Sequence, residues 1–346
     1  MGIPERRTQL HVPRHEVPRP RFPAIDTHTH FGKLLGVMLN AGDRYFDLYE
    51  TRDAVAAIRG KGVVKVVNLD GGWGEEYLRI TEKLKDAGDF ILHFGHVDVA
   101  RFEEPGFERL VYQTVKAHKE NGVRGLKFWK VIGLVMKDRT GGYLRPDDAR
   151  LSCIWAAAAE FGLPVLFHIG DLNAFFEPAD EANEYIDTFL EHPEWQFTNQ
   201  GQFSFPELMR MQENLLEQNP RTTFIIPHVG SFVENLEQVG RWLDRFPNMY
   251  IDIADRINEL GRQPYTARRF FTAHADRILF GTDMLPTDIG RYPIYYRFLE
   301  TFDEYFPYRT EKGIKLGDWN IYGVGLDDGT LKKIYHDNAA RLLQLS

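Results

Sequence analysis

Residues 22–32 read Phe22-Pro23-Ala24-Ile25-Asp26-Thr27-His28-Thr29-His30-Phe31-Gly32. A short apolar run leads straight into a pair of imidazoles. Its first half suits a strand covered on both faces. Seven further runs rich in Val, Ile, Leu or Phe follow, at 63–69, 91–96, 123–128, 164–168, 223–228, 249–253 and 278–280. Between them lie stretches of helical pattern, at 52–59, 75–87, 107–120, 147–160, 206–218, 233–245 and 265–274. Asp147 and Pro206 suit first turns of helices. Gly88, Gly122 and Gly162 fall where a left-handed cap would end one.

Strands and helices alternating in this way point to parallel βα units. A closed barrel and an open doubly wound sheet both use them. The number of strands favours the barrel, and the glycine-rich phosphate turn usual in the open sheet is missing. The expected fold is therefore α/β, a distorted (β/α)8 TIM barrel forming one domain over residues 22–346. An extended arm precedes it at 1–21, where Pro13, Pro18 and Pro20 discourage helix. A Gly-rich insertion at 308–328 and a final helix at 331–345, closing the outer ring, complete the expected layout.

Composition narrows the function. The chain has 346 residues, 43% hydrophobic and 27% charged, which is globular and excludes a disordered or fibrous protein. Its formal net charge is −8, with no dense basic run, so a nucleic-acid or anionic-membrane footprint is not expected. No leader-like or membrane-spanning apolar stretch occurs, so the expected location is the cytoplasm. Cys153 is the single cysteine, which removes both an internal disulfide framework and a cysteine-built zinc site. Only four serines occur and none lies in G-x-S-x-G, which argues against a serine hydrolase. H-E-x-x-H is absent as well.

The histidines carry the strongest chemical signal. Side chains alternate along a strand, so His28 and His30 share one face. Alone, such a pair reads as readily as two core histidines. Its place, at the carboxyl end of the first strand, is where barrel enzymes gather their active sites. His168 ends the fifth run, His228 the sixth, and Asp283 follows the eighth. In a barrel these strand ends open on one face, so five metal-type side chains converge though far apart in sequence. Imidazole and carboxylate donors suit Zn²⁺. A metal there would lower the pKa of bound water to around 7.

The order H-x-H, His, His, Asp on strands one, five, six and eight resembles the amidohydrolase superfamily. Ile25-Asp26-Thr27-His28-Thr29-His30, Ile226-Pro227-His228-Val229-Gly230 and Phe280-Gly281-Thr282-Asp283 are similar to its amidohydrolase-2 branch. So is Ile334-Tyr335-His336-Asp337-Asn338-Ala339-Ala340-Arg341-Leu342. That branch includes the aminocarboxymuconate-semialdehyde decarboxylase relatives. The resemblance covers residues 22–344. It implies that His28, His30, His168 and Asp283 hold a divalent metal, zinc or alternatively manganese. It also implies that Asp283 takes a proton from water. His228 would ligate a second metal, or polarise water or substrate beside a single one. Lys127, ending the fourth run, is either a carboxylated lysine bridging two metals or a cation lining a one-metal site. The one-metal site is the expectation here.

Trp129, Arg256 and Asn173 are further candidates for binding substrate at the rim, each equally readable as rim packing. The expected activity is metal-dependent hydrolysis of a carbonyl-type bond (amide, lactone or ester) in a small molecule. Asp283 and His228 would be catalytic. The alternatives are non-oxidative decarboxylation of an aromatic or unsaturated acid, and a non-catalytic binder on the same scaffold. Some decarboxylating relatives carry an acidic residue where this chain has His28, which favours hydrolysis. The resemblance also implies a homo-oligomer, a dimer.

Overall fold

The eight apolar runs all form strands: β1 (Ala24–Thr29), β2 (Val63–Asn68), β3 (Ile91–Gly95), β4 (Gly125–Phe128), β5 (Val165–Phe167), β6 (Phe224–Ile226), β7 (Met249–Asp252) and β8 (Ile278–Leu279). The structure is a computed structural model describing residues 9–39, 41–198, 202–310, 316–317 and 319–345. Each strand pairs in parallel with the next, in sequence order. The seam between β8 and β1 is closed by three backbone hydrogen bonds. Thr27 N donates to Phe280 O at 2.9 Å, Asp283 N to His28 O at 2.9 Å, and His30 N to Met284 O at 3.0 Å. The result is the expected (β/α)8 barrel.

One long helix follows each strand: α1 (Thr51–Gly60), α2 (Gly74–Leu84), α3 (Phe107–Glu120), α4 (Ser152–Glu160), α5 (Phe205–Gln218), α6 (Leu236–Arg245), α7 (Pro264–Ala273) and α8 (Tyr292–Glu300). Local chemistry sets their ends. Ser204 and Glu207 form a capping box ahead of α5, with Pro206 in its first turn. Gly122 (φ +78°) and Gly162 (φ +63°) adopt the left-handed backbone expected after α3 and α4. α4 starts later than expected, at Ser152, because 149–151 form a tighter turn capped by Asp148. The sequence reading missed α8, whose first turn packs Tyr292 against Phe280.

Two apolar layers result. Ile25, Val67, Leu69, Leu92, Phe94, Leu166, Ile225 and Leu279 fill the barrel interior. Ala24, Val66, Leu126, Val165, Phe224, Ile251 and Ile278 face outward into the strand–helix layer. The interior layer occupies the lower barrel, so the upper mouth is left to polar side chains. The C-terminal segment runs past the expected ring position. Ile334 packs in the outer layer, while Ala339 and Leu343 join the interior cluster from below.

Before the barrel, residues 9–21 carry no regular secondary structure. His15 N donates to Asp303 Oδ2 at 2.7 Å, and Arg21 pairs with Asp328 at 2.5 Å. Residues 1–8 of the expected arm lie outside the described residues, as do 311–315 and 318 of the expected insertion. The described part of that insertion includes a strand at Asn320–Ile321, paired antiparallel with Phe306–Pro307. Among the described residues, no helix is long and apolar enough to cross a membrane.

Candidate metal centre

A single irregularity aims the first histidines. Ile25 points into the barrel, so strict alternation would send Thr27 and Thr29 inward after it. Between Asp26 and Thr29, however, β1 has one more residue than β2 across from it. Such a bulge reverses the parity of the residues beyond it. His28 and His30 then face the mouth together, their ring centroids 5.4 Å apart. Lys127 and His168 need no such device, since each follows an outward residue, Leu126 and Phe167, in plain alternation.

His228 and Asp283 arrive on sharp turns. His228 (φ +57°), Val229 (φ +58°) and Asp283 (φ +57°) all occupy the left-handed region, which is unusual for non-glycine residues and most of all for Val. Neighbouring side chains hold these turns. Asp252 Oδ1 accepts from His228 N at 2.9 Å and Ala254 N at 3.0 Å. Arg291 donates to the carbonyls of Thr282 and Asp283 at 3.2 and 3.3 Å. Asp26 accepts from Thr282 N at 3.2 Å, His28 N at 3.0 Å and the Tyr292 hydroxyl at 2.8 Å.

The side chains meet at close range. Asp283 Oδ1 lies 3.0 Å from His30 Nε2 and 3.4 Å from His28 Nε2. The His28 and His228 rings are 5.0 Å apart, and the His168 and His228 rings 4.4 Å. The tightest potential ligand group is His28, His228 and Asp283, whose donor atoms all lie within 4.8 Å of one another. The sequence reading had placed His228 beside the metal shell and His30 and His168 within it.

Protonation follows from the partners. His28 Nδ1 faces Asp252 Oδ2 at 2.8 Å, and His30 Nδ1 faces Asp70 Oδ1 at 2.9 Å. An ionised carboxylate only accepts, so both Nδ1 atoms carry a proton. His228 Nδ1 likewise donates to Ala254 O at 2.8 Å. Burial, with His168 and Arg256 nearby, pushes His228 well below the usual histidine range, so it is neutral with a bare Nε2. Burial also lowers His168 to about 4. Its Nε2 is buried without a hydrogen-bond partner, 3.6 Å from Asp171.

Burial opposes charge on His30 too, but Asp70 and Asp283 outweigh it and raise the ring to about 9. Burial would raise Asp283, yet His28 and His30 hold it well below the usual carboxylate range. Positive charge is thus drawn to the point where Asp283 meets the histidines. A divalent cation satisfies the same demand, and the donors fit one: bare imidazole nitrogens, an ionised carboxylate, and carboxylates behind His28 and His30 fixing their tautomers.

The remaining candidates separate. Lys127 is buried at 1% exposure, with Nζ 4.5 Å over the Trp129 ring and no hydrogen-bond partner. Burial lowers it to about 8, against the pull of Asp283, Asp252 and Asp70. Trp129 walls the mouth 5.3 Å from the His30 ring. Arg256 is buried in the rim, donating to Asp255 O at 2.6 Å and lying 3.5 Å from Asp171, which also pairs with Lys130. Asn173 is placed by different contacts. Its backbone N donates to Glu234 at 2.6 Å, and it lines a cavity of about 520 Å³ with Glu177, Asp180 and Glu184. None of the four histidines lines that cavity.

Asp252 escaped the sequence reading, and so did Asp26 and Arg291. Strict alternation would group Asp26 with His28 and His30, but the bulge separates it from them. For Asp252 the signal was an acid ending an otherwise apolar strand.

A closed (β/α)8 barrel with imidazoles and a carboxylate converging at its carboxyl end defines a metal-dependent barrel enzyme. Comparison narrows the class: the amidohydrolase family model (Amidohydro_2) matches residues 25–345. The chain belongs to the amidohydrolase family, whose members are metal-dependent enzymes acting on small molecules. A comparison with curated protein sequences finds no match. Similar solved structures include a 2,6-dihydroxybenzoate decarboxylase in complex with 2,6-dihydroxybenzoate. It is 16% identical, with TM-score 0.57, over 94% of this chain and 100% of that one. A dihydroxybenzoic acid decarboxylase from Polaromonas sp. JS666, with bound manganese and 2-nitroresorcinol, is 15% identical with TM-score 0.60, over 94% and 97%. Dihydroorotase from Campylobacter jejuni is 12% identical with TM-score 0.50, over 94% and 84%. At these identities the likeness concerns the fold.

Proposed function

We propose that this enzyme hydrolyses an amide, lactone or ester bond of a small molecule. The observation that carries the reading is the convergence of the His28, His30 and His228 imidazoles on the ionised Asp283 carboxylate. His28, His30, His168 and Asp283 would hold a divalent ion, zinc by donor type, with manganese the alternative. Once bound, the ion supplies Lewis acidity, polarising an oxygen and making a nucleophile available at neutral pH.

The chain's own groups do the rest. Asp283, ionised, accepts the proton of the attacking water and returns it to the departing oxygen or nitrogen. The carbon–heteroatom bond breaks, leaving a carboxylic acid and an alcohol or amine. His228 has spent its Nδ1 proton on Ala254, so its Nε2 acts as an acceptor, orienting the water by its lone pair. Trp129 and Arg256 shape the mouth around the substrate.

The test is a panel of lactones, amides and aromatic acids incubated with zinc- or manganese-loaded protein. New carboxylate titrated without CO₂ supports hydrolysis. CO₂ released in proportion to substrate loss would replace it with decarboxylation. Metal analysis and sedimentation test the accompanying proposals of one zinc per chain and a homodimer.

A further inference from the structure

We propose that the substrate carries a carboxylate that it keeps through the reaction, received by Lys127 beside the face of Trp129. This deepens the hydrolase reading and rests on it. The neighbouring cations at the barrel mouth already have partners. Lys130 pairs with Asp171, Arg291 pairs with Asp255 at 2.5 Å, and Arg256 has the Asp255 carbonyl and Asp171. Lys127 differs from all three. It sits on β4 facing the cluster, it is almost fully buried, and its Nζ donates to nothing among the described residues.

The carboxylates whose charge reaches it are committed elsewhere. Asp252 is held by His28, Asp70 by His30, and Asp283 by both rings. A buried ammonium without an acceptor is costly, and contact with an indole ring compensates only in part. Its three N–H groups therefore suit an anionic oxygen group entering from the mouth. A single ammonium balances a monoanion, which points to a carboxylate; a phosphate dianion would leave one charge uncompensated. Trp129 adds shape. Its ring lies 4.5 Å from Lys127 Nζ and 5.3 Å from the His30 ring, so a flat part of the substrate would lie along its edge on the way to the histidines. The class defined is a carboxylate-bearing acyl compound with a planar portion next to the carboxylate.

The experiment measures binding, so it reads separately from turnover. Zinc-loaded protein is titrated calorimetrically with benzoate and with benzyl alcohol, a neutral analogue of similar shape. Wild type is expected to prefer benzoate by about tenfold or more, the worth of one charged hydrogen bond. Lys127→Met should lose that preference at unchanged zinc content. Lys127→Gln, which keeps a donor without the charge, should lose most of it and provides a second variant should the first fail to fold. Lys65→Met, which removes an outward lysine paired with Asp89, should retain it. Equal affinity of wild type for the two probes, or an undiminished preference in folded Lys127 variants, would overturn the proposal. Failure of the hydrolase reading would show instead as absent zinc or an uncleaved acyl panel.

Discussion

Asp252→Asn isolates what one carboxylate does for the centre. In the wild-type protein Oδ2 accepts from His28 Nδ1, while Oδ1 accepts from the amides of His228 and Ala254. Asparagine can keep its oxygen on the two amides. Its NH₂ then faces His28 Nδ1, and two donors cannot share that line. His28 must move its proton to Nε2, turning an N–H toward Asp283 and withdrawing a lone pair from the cluster. The wild-type contact is a charge-assisted hydrogen bond, worth about 1.5–3 kcal/mol. At 1.36 kcal/mol per factor of ten, that corresponds to roughly a 10- to 150-fold loss of metal affinity. Chelator competition with zinc measures it directly. The metal-free variant should melt close to wild type, since both amides keep an acceptor. Asp252→Ala strips the acceptor from both amides and should lower Tm as well as affinity. Zinc binding by folded Asp252→Asn within about threefold of wild type, far short of the usual cost of losing such a partner, would refute the tautomer argument.

Three further outcomes are expected. Asp283→Asn should fold and lose turnover on any substrate found by the panel, and an active variant would remove Asp283 from the chemistry. His168→Ala should weaken zinc retention by about tenfold or more, whereas His228→Ala should chiefly abolish turnover. Equal affinity losses, read by the same chelator competition, would place His228 among the ligands, as its position in the tightest group allows. Burial would raise Asp303, but the His15 amide and ring and Arg297 hold it below the usual carboxylate range. A carboxylate so lowered contributes stability that is present above about pH 3.8 and lost as pH falls toward its folded value. Asp303→Asn should therefore flatten the decline of Tm below pH 4, and parallel melting curves for variant and wild type would disprove the coupling.

The barrel was legible because strands covered on both faces read as apolar runs, and all eight runs became strands. The histidines were legible because a strand end is a fixed place in a barrel. The mechanism that turns them inward was not. An extra residue in β1 depends on how β2 lies beside it, and one strand read alone cannot reveal its partner's register. Asp26 and Asp252 were hidden for a related reason. A buried acid on a strand makes sense only with its partners, which come from positions 228, 254, 282 and 292. The left-handed backbones of His228 and Asp283 carry no residue signature, since neither is a glycine. The helix after β8 was hidden by its opening, Gly290-Arg291-Tyr292-Pro293, which reads as a turn. Its aromatic packing face, Tyr292, Tyr295 and Tyr296, is plain only once the three are seen buried.

The barrel's closing seam has a further consequence. β1 and β8 meet through three backbone hydrogen bonds, and the bonds on either side of the Asp283 turn anchor His28 and His30. His28 and Asp283, 255 positions apart in the chain, therefore face each other across the last joint to shut. An ion seated there would rivet the first stave to the last, so loading the enzyme should tighten the whole hoop. Any opening of that joint would disarm the chemistry before the rest of the vessel gives way.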